Sequence, residues 1–202
     1  MGDGSGFRVL PATPERWDDV VRVLGARSAG PDACWCQRFL DGGGPDHRDA
    51  LRIQLDRADV PFGLIAYDGD DAVGWTRVMP RAALPGVLAN RAVRSALQNA
   101  GGHDGDAGWW VTCVVVRREA RGRGVGAALL EAAAEWARDH GATHLDGHPV
   151  DVERLAGRPS AAALFTGTER MFAASGFREV ARTYPSRPIM RREFGDVASS
   201  GR

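Results

Sequence analysis

The sequence predicts a mixed α/β domain, and three observations predict it. WWVTCVVV at 109–116 is the most apolar, β-branched run in the chain and reads as a central buried strand. Directly after it, Val125, Leu129, Leu130, Ala133, Trp136 and Ala137 recur at helical spacing. Two further stretches, 62–80 and 177–194, turn at DGDD and YPSRP as hairpins do. At 202 residues the chain suits one domain, 1–202, large enough to bury a full core.

The elements follow in order. FRVLPAT (7–13) reads as a first strand, and PERWDDVVRVLGAR (14–27) as a helix with Thr13 as cap and Pro14 at its first position. A Gly/Pro-rich connection (30–46) leads to a helical pattern over 47–58 through Leu51 and Leu55. The first hairpin has strands at about 62–67 and 72–79. Residues 81–108 read as an insertion carrying a helix near 87–99. After the central strand and its helix, which Gly141 stops, THLDGHPV (143–150) reads as a strand and 160–175 as a helix ended by Gly176. The closing hairpin then gives way to a loose tail, 195–202.

Composition excludes several chemistries. Basic and acidic residues balance at 26 each, so no global field draws the protein to nucleic acid or an acidic membrane. Every basic residue is arginine. Without lysine there is neither a Walker-type phosphate loop nor a Schiff-base mechanism. No stretch approaches the roughly 20 apolar residues of a membrane span, and the N-terminus lacks a signal pattern, so a cytoplasmic protein is expected. Three cysteines, Cys34, Cys36 and Cys113, are too few for a disulfide framework. CWCQRF, with His47 downstream, looks like half a zinc site, but no second pair follows and no metal is expected.

The segment RGRGVGAALL opens the long helix. Glycines at 122, 124 and 126 let the backbone turn tightly and bring N–H groups close to a ligand, where the unpaired N–H groups of the helix start add partial positive charge. Such a loop favours a phosphate or pyrophosphate, with Arg121 and Arg123 adding charge-assisted hydrogen bonds. The spacing G-x-G-x-G fits a dinucleotide fingerprint poorly. R-x-x-G-x-G after a buried strand, at Arg121, Gly124 and Gly126, resembles the acyl-CoA-binding motif of the GNAT superfamily of N-acyltransferases, and MFAASGF at 171–177 is similar to that superfamily's LYxxxGF segment.

The resemblance implies a central mixed β-sheet, flanked by helices, whose two parallel strands, 109–116 and 143–150, splay apart around the cofactor arm. Acetyl-CoA is the implied co-substrate. Backbone groups at Val114 and Val116 would pair with its pantetheine arm, and Arg121, Gly122, Arg123, Gly124, Val125, Gly126 and Ala127 would hold the pyrophosphate. Homodimers are common in the superfamily, so a homodimer is an expectation.

Acetyl transfer to an amine needs a neutral amine, stabilisation of a developing oxyanion and a proton for the departing thiolate. The Val114 N–H is the candidate for the oxyanion. Phe172 stands where much of the superfamily has its proton-donating tyrosine, which leaves Tyr184, at the closing turn, as a candidate acid. Asp146 and His148, two residues apart on one strand face, are candidates for the base, with Glu169 and Thr166 weaker. Trp35, Phe39 and Trp75 are candidates for an aromatic acceptor wall. The expected function is acetylation of a primary amine on a small molecule. A protein or peptide acetyltransferase and a catalytically silent acyl-CoA-binding regulator stay open as alternatives.

Overall fold

The computed structural model describes residues 6–25, 34, 35, 37, 39, 40, 46–100, 107–157, 159 and 164–195. Cys36, the 101–106 end of the expected insertion, positions 160–163 of the expected late helix and nearly all of the expected tail lie outside them. No described helix is long and apolar enough to cross a membrane.

Seven strands form one sheet in the order β1-β2-β3-β4-β5-β7-β6: β1 Phe7–Pro11, β2 Gly63–Asp68, β3 Asp71–Pro80, β4 Gly108–Val116, β5 His144–Gly147, β6 Arg178–Tyr184 and β7 Arg187–Glu193. All neighbouring pairs are antiparallel except β4 and β5. Among the described residues six α-helices flank it: α1 Trp17–Leu24, α2 His47–Arg57, α3 Pro85–Ala89, α4 Arg91–Asn99, α5 Val125–Asp139 and α6 Glu169–Ala174. Thr13 precedes a 3-10 turn that leads into α1, and its hydroxyl accepts from Arg16 Nη1 (3.2 Å) rather than capping the backbone.

Alternation along the strands divides the core between two faces. On one, Leu129, Leu130 and Ala133 of α5 and Phe172 of α6 pack on Leu64, Val111, Leu145 and Met190. On the other, Val20, Leu24, Leu51 and Leu55 of α1 and α2 cover Ile65, Trp75 and Cys113. The 81–99 segment covers the remaining stretch of that second face, with Val87, Val93 and Leu97 against Trp110 and Ile189.

Two irregularities position the site. In the β3–β4 ladder Arg77 pairs with Cys113 and Val78 with Val111, so Thr112 is an extra residue, a β-bulge. Because side chains alternate with period two, one extra residue flips the parity of the strand: Trp109 and Val111 face α5 before it, Val114 faces α5 after it, and Cys113 and Val115 turn to the opposite face. The second irregularity is the end of the parallel ladder. It runs from Gly108↔His144 to Val111↔Gly147 and stops, while β4 continues to Val116. The two strands therefore part beyond the bulge, as expected, though β5 is shorter than the 143–150 read from sequence.

The late helix departs more from expectation. It starts at Glu169, because Gly167 adopts φ +82° and Thr168 caps the helix by accepting from the Met171 N–H (3.3 Å). Residues 164–168 form a turn ahead of it.

Candidate functional site

β4 ends at the glycine loop, and the loop's conformation explains its residues. Gly122 and Gly124 sit at φ +76° and +92°, a region L-residues avoid, yet a Cβ at either position would meet nothing within 4 Å. These glycines serve the backbone path. Gly126, already helical, serves packing: its Cβ would lie 2.4 Å from Met171 Sδ. Gly124 caps α5 with no side-chain hydrogen bond, and the first backbone bond of the helix runs from the Ala128 N–H to the Gly124 carbonyl. The N–H groups of Val125, Gly126 and Ala127 thus lie in the turn that a helix cannot satisfy internally, at the positive end of its dipole.

A cleft of about 260 Å³ runs from this loop along the outer half of β4, lined by Val114, Val116, Arg121, Gly167, Thr168 and Met171 among others. Arg121, exposed at its mouth, donates from Nε to the Val116 carbonyl (3.3 Å). An anion-binding helix start that opens into a narrow, largely apolar slot suits a chain-like molecule with a pyrophosphate at one end. Arg123 turns the other way, to Asp68 (2.7 Å) and across the Phe7 ring, so the pyrophosphate role expected of its side chain is corrected to an ion pair with the β2 end.

The inner end of the cleft is closed by the chain itself. The Val114 N–H donates to the Phe165 carbonyl (2.8 Å), the Val150 N–H to the Gly167 carbonyl (3.0 Å), and Thr168 bridges Val150 in parallel fashion. The backbone group nominated for the oxyanion therefore already has an acceptor. Beside it, the Thr112 hydroxyl is buried with no hydrogen-bond partner among the described residues.

Asp146 is wholly buried on the face beneath α3 and α4. Arg191 grips it from Nε (2.7 Å) and Nη2 (2.9 Å), with Arg81 Nη1 at 3.5 Å and His144 Nε2 at 3.6 Å. Burial raises its pKa, but His144 and Arg191 outweigh that and hold the carboxylate below its usual range. With no exposure to solvent, the carboxylate expected as a base is engaged by these cations. His148 is half-buried, with Nε2 2.8 Å from Thr183 Oγ1 and its ring edge-on to Trp110. Burial, then the charge of Arg187, push its pKa down to about 4. The ring is neutral at physiological pH and a weak proton acceptor there. Asp146 and His148, expected on one strand face, have different partners: Asp146 is held by Arg191 and His148 lies against Thr183.

Phe172, at the position of the missing tyrosine, is fully buried against Phe177 (ring centroids 4.9 Å) and under Gly147, where a Cβ would come within 2.3 Å of it. Tyr184 stands 59% exposed at the hairpin turn. Of the expected aromatic wall, Trp75 is wholly in the core over Gly63, Trp35 is buried and stacked on Trp17 (6.2 Å), and Phe39 is half-buried with its backbone against Gly86. Sequence reasoning missed Arg187, whose Nη1 donates to Thr166 Oγ1 (3.0 Å) and the His148 carbonyl (3.3 Å). Nothing in the local pattern of a hairpin marks such an arginine.

Comparison with known proteins agrees with this geometry. The family model described as Acetyltransferase (GNAT) family matches residues 33–153. No curated protein sequence matches the chain. Among solved structures, the mosquito arylalkylamine N-acetyltransferase like 5b superposes with a TM-score of 0.58 at 13% identity, covering 93% of this chain and 100% of that one. The GNAT domain of PAT from S. lividans gives 0.56 at 18%, covering 93% and 90%. The PaiA N-acetyltransferase of Thermoplasma acidophilum, solved with coenzyme A, gives 0.53 at 10%, covering 93% and 99%. At these identities the likeness is one of fold. With the loop, the parted strands and the family model in agreement, the chain belongs to the GNAT family of acetyltransferases.

Proposed function

We propose that this protein transfers an acetyl group from acetyl-CoA to the primary amine of a small molecule by direct attack. One observation carries the reading: a glycine loop at the start of α5 opens into a slot along β4 at the point where β4 and β5 have parted. Acetyl-CoA supplies an activated acyl carbon. The N–H groups from Gly122 to Ala127 and the Arg121 guanidinium bind its pyrophosphate, and backbone groups at Val114 and Val116 align its arm. The Val114 N–H stabilises negative charge on the acyl oxygen once the Phe165 carbonyl has yielded it. His148 stays neutral and orients the incoming amine, while the proton for the thiolate comes from water or from Tyr184. We further propose that the protein works in the cytoplasm, as a homodimer.

A second reading is favoured by Phe172, buried at the usual acid position, and by the engaged Val114 N–H: an acyl-CoA-binding regulator without transfer activity.

Thermal-shift titration with acetyl-CoA, CoA and NADH, beside an Arg121→Ala, Gly124→Ala variant, tests the proposal, because a ligand of the native state raises its apparent stability. Both CoA species stabilise the wild type and lose that effect in the variant. A response to NADH alone sinks the assignment. An amine panel monitored for free thiol then separates the enzyme from the regulator.

A further inference from the structure

Residues 164–168 lie between two strands whose own ladder has stopped, with Phe165 engaging β4 on one side and Gly167 engaging Val150 beyond β5 on the other. Arg187, the first residue of β7, fastens this turn from outside through Thr166, which is only 5% exposed. The same Nη1 reaches the His148 carbonyl, so the turn, the β5 extension and β7 meet at one guanidinium. A charge-assisted bond sheltered from water is among the stronger local ties a turn can have. Gly167, at φ +82°, follows directly, packed so closely that a Cβ there would lie 2.5 Å from Met171 Cε.

We propose that Arg187 and Thr166 are positioning residues for acyl-CoA: by holding the Phe165 carbonyl on the Val114 N–H, they set how readily the ligand gains the edge of β4. The inference rests on acyl-CoA being the ligand. A backbone N–H makes one good hydrogen bond, so the chain's own carbonyl and a ligand's carbonyl compete for it. Loosening the tie weakens the chain's side of that competition, and the ligand's apparent affinity rises with the fraction of molecules in the open arrangement.

Thr166→Val removes the hydroxyl at nearly constant volume, whereas Thr166→Ser keeps it. Calorimetric titration with acetyl-CoA gives a dissociation constant about tenfold lower for Thr166→Val, the factor expected from losing one hydrogen bond to a charged donor, and one near wild type for Thr166→Ser. In the wild-type protein, hydrogen exchange at the Val150 amide quickens when acetyl-CoA is added, because its partner Gly167 moves away. This second readout decides the matter even if Thr166→Val folds poorly. Equal affinities for wild type and Thr166→Val, or a Val150 amide that slows on acetyl-CoA addition, overturn the positioning role while leaving acyl-CoA binding in place. Acetyl-CoA binding to none of the three proteins overturns both.

Discussion

Replacing Asp146 with asparagine removes one negative charge at nearly constant volume from a site with no exposure to water. The Arg191 side chain, 13% exposed, and the Arg81 side chain, 6% exposed, then keep their charges facing a neutral amide whose NH2 group can only add another donor. Breaking a buried pair by removing one partner costs about 3–5 kcal/mol, because the remaining charge stays desolvated. For a chain of this size each kcal/mol moves the melting temperature by roughly 2–4 °C, so Asp146→Asn melts about 6–20 °C below wild type. The pH dependence carries a second signature. The folded pKa of Asp146 is depressed, so the unfolded state takes up the proton first as pH falls. Its contribution is full above the unfolded value of about 4 and is lost as pH drops through the lower folded one. Urea denaturation of both proteins from pH 7 to pH 3 shows a steeper acid decline in wild type than in Asp146→Asn. A variant within about 0.5 kcal/mol of wild type would refute the structural role. If it also bound CoA normally but transferred no acetyl group, Asp146 would be restored as the base.

Two further outcomes follow from the same geometry. His148, with its pKa pushed to about 4 against 6.5 for a free histidine, leaves the unfolded state binding an extra proton between those values, so stability declines as pH falls from about 6.5 to 4. His148→Gln flattens that part of the urea midpoint profile, and NMR titration of the ring in wild type reads the low value directly; a midpoint near 6.5 contradicts the burial described. Gly126→Ala drives a methyl to 2.4 Å from Met171 Sδ and costs about 1–3 kcal/mol by overpacking, a loss that Met171→Ala recovers in the double variant. Denaturant midpoints of the three variants check it, and an unaltered Gly126→Ala midpoint rules out the close packing of α5 on α6.

The hairpins, the central strand and α5 were legible in the sequence because each announces itself locally, through period-two alternation around a turn or a sustained helical stripe. The loop was legible for the same reason: Gly122 and Gly124 mark a backbone path that only glycine takes comfortably. What stayed hidden depends on register or on distant partners. The Thr112 bulge leaves no compositional trace, yet it decides which face every later residue of β4 occupies. SAAALF continues an apolar helical pattern, whereas the described late helix follows the start signal of Gly167, Thr168 and Glu169. The tryptophans misled in the opposite direction, since their number suggested a pocket wall and the sheet instead consumed Trp75 and Trp110 as core.

The absence of lysine connects these corrections. A buried lysine can shed its proton when desolvated, whereas a guanidinium stays charged, so each buried arginine among the described residues keeps its cation and must be met by an acceptor. Asp146 lies among Arg81 and Arg191 for that reason, and Asp151 is held by Arg182 at 2.9 Å near the closing hairpin. Asp146 and Asp151 are thereby committed to arginines. The histidine that remains nearest, His148, is kept neutral by burial and by a fourth arginine, Arg187. In the proposed reaction proton movement then falls to water, to the amine itself or to Tyr184, and ligand entry to how the chain presents the Val114 N–H, which is what the Arg187–Thr166 tie would govern.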